Sequence, residues 1–544
     1  MKTNIKFSLF AISALMLAGC QGFDEIVPAS GTLLESQLKE TTAAAPTRAD
    51  AIYTGMYTKL GAPNGCGYNK PDDFGFIMIG FSADLEAADV IMPNSNYNWF
   101  SVCGELSSRT ATYRNPMIRY KICYDVISAA HDVMNSYDDA STEAAIQAKL
   151  GEAYAVRAFS YLNLAPYFQF RYIDHQNDPC VPILTLDTKD PANNPRATVK
   201  EVYDLIISDL TTAIQKLDGW KRSDKSKIDQ QVAYGLRARA YLNMGMYQEA
   251  LEDAQKAAEG YTPASIADVS KPFLYDINEA NWMWGYDLTE TLTSASSNAA
   301  YATTTSWLRP FSGDGYAPAC QTYCFINSLL YDKIPATDVR KGWWVDENLE
   351  SPLLNGLQWD NLSGQAIASD LIDGVKEPFI PLTNVKFGVK KLGTTTNDED
   401  WCWMRVEEMI LIQAECLANL NKEAEAKTLL EDFVKTYRDP AYNSVAGGRN
   451  LKDEIWFQRR VELWGEGFSN NDTRRLGKPL VRFHGDKTNN YPDAFRFNMT
   501  PDDGWWLMRF PQTETNNNTA IVDNSDGKIP TLDQNPDLRD GVTD

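Results

Sequence analysis

The sequence predicts an all-α scaffold of paired helices with a long, loop-rich insert. Three observations lead there. Residues 153–167, AYAVRAFSYLNLAPY, and residues 233–247, AYGLRARAYLNMGMY, agree at eight of fifteen positions. Apolar residues recur at helical spacing: Ile146, Leu150, Ala153, Tyr154, Ala158, Tyr161, Leu162 and Ala165 share one helix face. Across 262–400 that periodicity fades, and Gly, Asn, Thr, Pro and Trp accumulate.

The chain opens with Lys2, Lys6, the apolar run FSLFAISALMLAG and then Cys20. The run is too short to span a bilayer and reads as a secretory leader over 1–19. LAGC resembles a bacterial lipobox, which implies cleavage before Cys20 and its acylation. QGFDE after it resembles the acidic tag that sends Bacteroidetes lipoproteins to the cell surface. Residues 20–46 then form a lipidated tether.

Helices are expected over 47–60 and 113–136, with irregular sequence between them that includes SADLEAADV and MPNSNYNWFSVCGE. Loops of that length are often functional. Four prolines mark 171–196 as a connector. Residues 197–218 read as a helix with Val202, Leu205, Ile206, Leu210, Ile214 and Leu217 inward, and Asp229 caps the next helix. The second repeat copy runs on through Gly245 into YQEALEDAQKAAEGYTP, a second amphipathic helix. Two helices joined at a glycine, with small residues at the crossing, resemble a tetratricopeptide (TPR) unit. A third partial copy lies at 410–433. The uneven spacing places these TPR-like pairs inside one globule rather than a free solenoid. Helix resumes over 401–437 and 450–466, and the C-terminal stretch is polar and loop-rich. The two main regions are thus 47–261 and 262–544.

The formal charge is −22, and removing Lys2 and Lys6 with the leader takes it to −24. Such a surface repels nucleic acid and anionic lipid. A sulfated or carboxylated polymer fits only where a local basic patch exists. Cys123, Cys402 and Cys416 read as buried thiols, and Cys66–Cys103 or Cys320–Cys324 are the disulfide alternatives. His131, His175 and His484 have no zinc spacing, and no nucleotide-binding glycine pattern or nucleophile elbow occurs. No cofactor, metal site or catalytic residue is expected. The 73 acids read mainly as solvated faces.

Four blocks, in order, are similar to the SusD/RagB family of Bacteroidetes surface lipoproteins: GEAYAVRAFSYLNLAPYF, RATVKEVYDLIISDLTTAI, QRRVELWGEGFSNNDTRRLGK and LMRFPQTETNNN. In the third, the family pattern falls on Arg459, Arg460, Glu462, Glu466, Gly467, Asp472, Arg475 and Gly477. Gln458, Ser469 and Pro166 depart from it. The resemblance implies a SusD-like, all-α scaffold of TPR-like pairs with a long loop-rich ligand-binding face, in a non-enzymatic protein that captures oligosaccharide or polysaccharide at the cell surface. It also implies a partner, a SusC-like TonB-dependent outer-membrane transporter. The alternative is a TPR-like adaptor on such a transporter that handles peptides or another nutrient. Arg459, Arg460 and Glu462 are expected to knit helices together as buried ion pairs.

Sugar binding needs flat apolar faces for pyranose C–H groups and polar groups at their edge. The loops offer Tyr97, Asn98 and Trp99; Trp282, Trp284 and Tyr286, alternating like a strand with one face exposed; Trp307, Arg309, Phe311, Asp314 and Tyr316; and Trp343 with Trp344. Trp99, Trp307 and Tyr316 are the expected platform, with Asp84, Asn98 and Arg309 as hydrogen-bonding partners.

Overall fold

The computed structural model describes residues 41–42, 45–93, 98–485 and 489–544. Cys20, the leader and most of the tether lie outside the described residues, as does Tyr97.

Among the described residues, nine helices carry the scaffold: α1 (Pro46–Gly61), α2 (Gly75–Glu86), α3 (Arg114–Ser136), α4 (Ala144–Phe168), α5 (Val199–Lys216), α6 (Gln230–Met244), α7 (Tyr247–Ala258), α8 (Val406–Asn419) and α9 (Glu423–Tyr437). Further on come α10 (Leu451–Glu462) and the short α11 (Ser469–Arg475). From α3 to α9 each helix packs on the next, α1 joins at α3, and α10 packs on α8. The ends form where sequence chemistry places them. Thr198 and Glu201 make a capping box on α5, and the Asp229 carboxylate accepts from the Val232 N–H at the start of α6. Gly245 closes α6 at φ +73°, a left-handed conformation that a β-carbon disfavours.

Three expectations fail here. The stretch after α1 holds α2, GFIMIGFSADLE, which is buried nearly all round. A helix with no polar face has no amphipathic period to detect. Second, 401–405 is not helix. Strands are β1 (Val90–Ile91), β2 (Pro179–Pro182), β3 (Arg196–Thr198), β4 (Trp282–Tyr286), β5 (Phe325–Ile326), β6 (Gln358–Trp359), β7 (Leu362–Ser363) and β8 (Trp401–Arg405). They pair antiparallel as β1–β5, β2–β3, β4–β8 and β6–β7. In β4–β8, Trp282 faces Arg405 and Tyr286 faces Trp401. Third, all of β4 is buried, so it has no exposed face. Trp284 packs on Trp403 at 4.6 Å and on Phe159 of α4 at 5.0 Å. The pair thus clamps both ends of the 287–400 excursion against the helices, and one apolar core runs through both regions.

The family-like third block is an interior charge lattice. Glu462 accepts from Arg340, Arg405 and Arg438, and Glu466 from Arg405 and Lys386. Arg459 pairs with Asp472, Arg475 with Glu415, and Arg460 with Asp89 and Asp540. The knitting role expected of Arg459, Arg460 and Glu462 is what these contacts perform. Gly467, at φ +92°, crosses α2 so closely that a β-carbon there would lie 2.8 Å from the Gly80 Cα.

Candidate functional site

Trp307 ends a single helical turn, Thr304–Trp307, capped by the Thr303 hydroxyl. Its indole N–H donates to the Pro71 carbonyl at 3.0 Å. One ring face stacks on Tyr316, with centroids 4.2 Å apart and planes 5° from parallel. Phe100 packs edge-on against Trp307 at 5.1 Å, and Tyr301 edge-on against Tyr316 at 5.9 Å. The Tyr301 hydroxyl donates to the Asp314 carboxylate at 3.2 Å. Trp99, beside Phe100 in the chain, is 37 % exposed. Lys70 Nζ lies 5.7 Å from its ring centre and the Arg114 guanidinium 5.9 Å. Arg114 also covers Tyr68 at 4.9 Å and pairs with Asp72 at 2.6 Å.

Polar bonds hold these loops together. Asn298 donates to the Asn69 carbonyl and Ser296 to the Asn69 side chain. Asn397 donates to the carbonyls of Ala300 and Asp314 and accepts from Ser312. The 62–73 loop therefore joins two aromatic arms: Trp99 with Tyr68 on one side, Tyr301 with Tyr316 on the other. Pre-ordered rings of this kind bury sugar C–H surface without first losing side-chain entropy.

The six expected site residues divide. Trp99 is exposed and Tyr316 half-buried, so both can meet a ligand. Asn98, expected as a hydrogen-bonding partner, is buried and spends its side chain locally, donating to the Pro93 carbonyl and accepting from the Phe100 N–H, each at 2.8 Å. Trp307, expected on the platform, is fully buried and acts as the base on which Tyr316 rests. Arg309 is also fully buried and donates to the carbonyls of Leu274, Gly388 and Asp400. With only carbonyls as its partners among the described residues, burial pulls its pKa down to about 10. Asp84 lies inside α2 and accepts from the backbone N–H groups of Gly467 and Ser469. Burial pushes its carboxyl up to about 7 against those two bonds. None of these three reaches solvent.

Tyr301, Tyr68, Lys70 and Arg114 escaped the sequence reading, because each gains its place only from loops distant in the chain. The tryptophan excess also has its explanation. Eleven of the 14 tryptophans are buried, Trp343 and Trp344 among them, and Trp99 alone is exposed. Cys123, Cys402 and Cys416 are buried thiols, and Cys66, Cys103, Cys320 and Cys324 are unpaired. His175 meets Asp178 at 2.6 Å, and His484 is buried.

Comparison with known proteins agrees with this architecture. A family model described as "Starch-binding associating with outer membrane" matches residues 81–242. The model of the SusD family matches residues 382–531. SusD-like protein P38 of Formosa agariphila is 23 % identical over 361 residues, 61 % of this chain and 67 % of that one. A SusD-like carbohydrate binding protein from Bacteroides vulgatus superimposes with a TM-score of 0.70 at 23 % identity, over 88 % of this chain and 97 % of that one. Surface glycan-binding protein A from Bacteroides thetaiotaomicron, solved with laminarihexaose, gives 0.62 at 16 % identity, over 88 % of this chain and 99 % of its own. The two family models together span more than half of the sequence, the relatives share its fold, and the chain belongs to the SusD family.

Proposed function

We propose that this protein binds an oligosaccharide or polysaccharide at the cell surface, on the face formed by Trp99, Tyr316 and Tyr301. It delivers the glycan to a SusC-like TonB-dependent transporter without cleaving it, and is held on the outer membrane through lipid on Cys20. The observation that carries this reading is the Trp307–Tyr316 stack, with exposed Trp99 one residue from the Phe100 that braces it. Rigid aromatic faces at a surface, edged by Asp314, Lys70 and Arg114, match what pyranose rings and their hydroxyls need. The relatives solved or named as carbohydrate binders lend support.

The test is native affinity electrophoresis of Trp99→Ala and Tyr316→Ala through gels containing the polysaccharide that retards the parent chain. Each change is expected to remove most of the retardation, about tenfold or more in affinity, with the melting temperature held. Retardation equal to the parent's in both variants would move the site elsewhere. Reducing ends released from the bound polymer would refute non-cleavage.

A further inference from the structure

Trp99 does not stand on a flat surface. It walls a cavity of about 230 Å³ that runs from its exposed indole to buried Arg119, past Ser82, Ser108, Arg114 and Asn115. Two lining guanidinium groups each keep one unused N–H, although Arg119 already donates through its other nitrogens to Asn115, Glu86 and Cys103. The Nε–H groups of Arg114 and Arg119 are buried, and among the described residues nothing accepts from either. A buried N–H without an acceptor is costly, and a charged donor more so.

The charge count points the same way. Arg114 pairs with Asp72, but Arg119 shares Glu86 with Arg109, at 3.1 and 3.2 Å. Asp73 is taken by the backbone N–H groups of Cys66 and Tyr68. Lys70, exposed beside the indole, has no carboxylate partner among the described residues. Lys70, Arg109, Arg114 and Arg119 thus face Asp72, Asp73 and Glu86, a local surplus of positive charge on a chain of net −22. The opposite end of the face carries the exposed carboxylate of Asp314 instead.

We propose that the cavity beside Trp99 seats an acidic substituent, a carboxylate or sulfate, of the bound saccharide. The ring bearing it stacks on Trp99, its anionic oxygens accept from Lys70 and Arg114, and Arg119 forms the positive floor. Uncharged rings continue over Tyr316 and Tyr301 toward Asp314. This rests on the glycan-binding reading above and adds the chemical class of the ligand. Charge-assisted bonds in a partly desolvated cleft are about twice as strong as neutral ones, so the acid selects among glycans of similar shape.

The test is an array of neutral, uronate-bearing and sulfated glycans, followed by calorimetry on pairs that differ only in charge. Polygalacturonate against its methyl ester reports on carboxylate, and a sulfated galactan against its desulfated form on sulfate. Laminarin is the neutral reference. One charged member is expected to bind about tenfold tighter than its neutral partner, with the preference shrinking as salt rises. Which pair discriminates identifies the acid. Lys70→Ala, an exposed change, and Arg114→Gln are each expected to cut the charged-to-neutral ratio about fivefold. If both members of each pair bind alike while Trp99→Ala still abolishes binding, the acidic-ligand proposal falls and the glycan-binding reading stands. If no glycan on the array binds, both fall.

Discussion

Glu462 sits at the centre of the interior charge lattice. Three guanidinium groups, those of Arg340, Arg405 and Arg438, reach its carboxylate, and all four residues are fully or almost fully buried. Burial alone would push its pKa up, yet Arg438, Arg405 and Arg340 hold it well below the usual carboxylate range. Removing a buried partner strands the charges left behind. Glu462→Ala is therefore expected to cost about 3–5 kcal/mol in urea denaturation, far more than an exposed acid. A loss under about 1 kcal/mol would mean the arginines find other acceptors or water. The sequence made this residue's job legible, because arginines and glutamates packed into one apolar helix have few uses other than internal pairing. It did not make Arg309 or Asp84 legible. A charged residue in a loop reads as available, and only the packing reveals that backbone carbonyls or amides already occupy it.

Helix α1 is fastened to α4 by the hydroxyls of Tyr53 and Tyr57, both donating to Glu152. Burial raises the Glu152 carboxyl from 4.5 to about 7, offset in part by the two hydroxyls and by Lys227, while nearby Asp229 raises it further. The folded chain thus holds this proton more tightly than the unfolded chain. Its contribution to stability is complete below about pH 4.5 and is lost as pH climbs through about 7. Glu152→Gln keeps an acceptor and cannot ionise. Its stability relative to the parent is expected to rise by about 1–3 kcal/mol between pH 4.5 and pH 8, read from paired denaturation curves. No change across that range would place the Glu152 pKa near its ordinary value. Helices with a polar face, such as α5 and α7, were readable from period and caps. Helix α2 was not, because burial on every side erases the period. Strand β8 was not, because five residues leading straight into a helix look like its first turn.

For the molecule as a whole, the proposed lipid anchor and transporter would set the working geometry. Among the described residues no helix is long and apolar enough to cross a membrane. In the proposed reading, attachment comes from acyl chains on Cys20, each buried methylene contributing about 0.8 kcal/mol. Cys20→Ala is expected to shift the protein from the outer-membrane fraction to the soluble one, with glycan binding unchanged in the purified chain. Continued membrane association would assign the anchor elsewhere. By itself the sequence determined the helical class, the ion-paired block and the family likeness, and it named two rings of the proposed face, Trp99 and Tyr316. Those follow from local periodicity and from residue types that have few alternative uses. Tertiary structure alone decided that eleven tryptophans are core and that Trp307 is a base rather than a platform. It also brought Tyr301, Lys70 and Arg114 to the site. Exposure and convergence belong to what lies across the fold from a residue, and the 287–400 excursion returns beside its starting strand only when β4 and β8 pair.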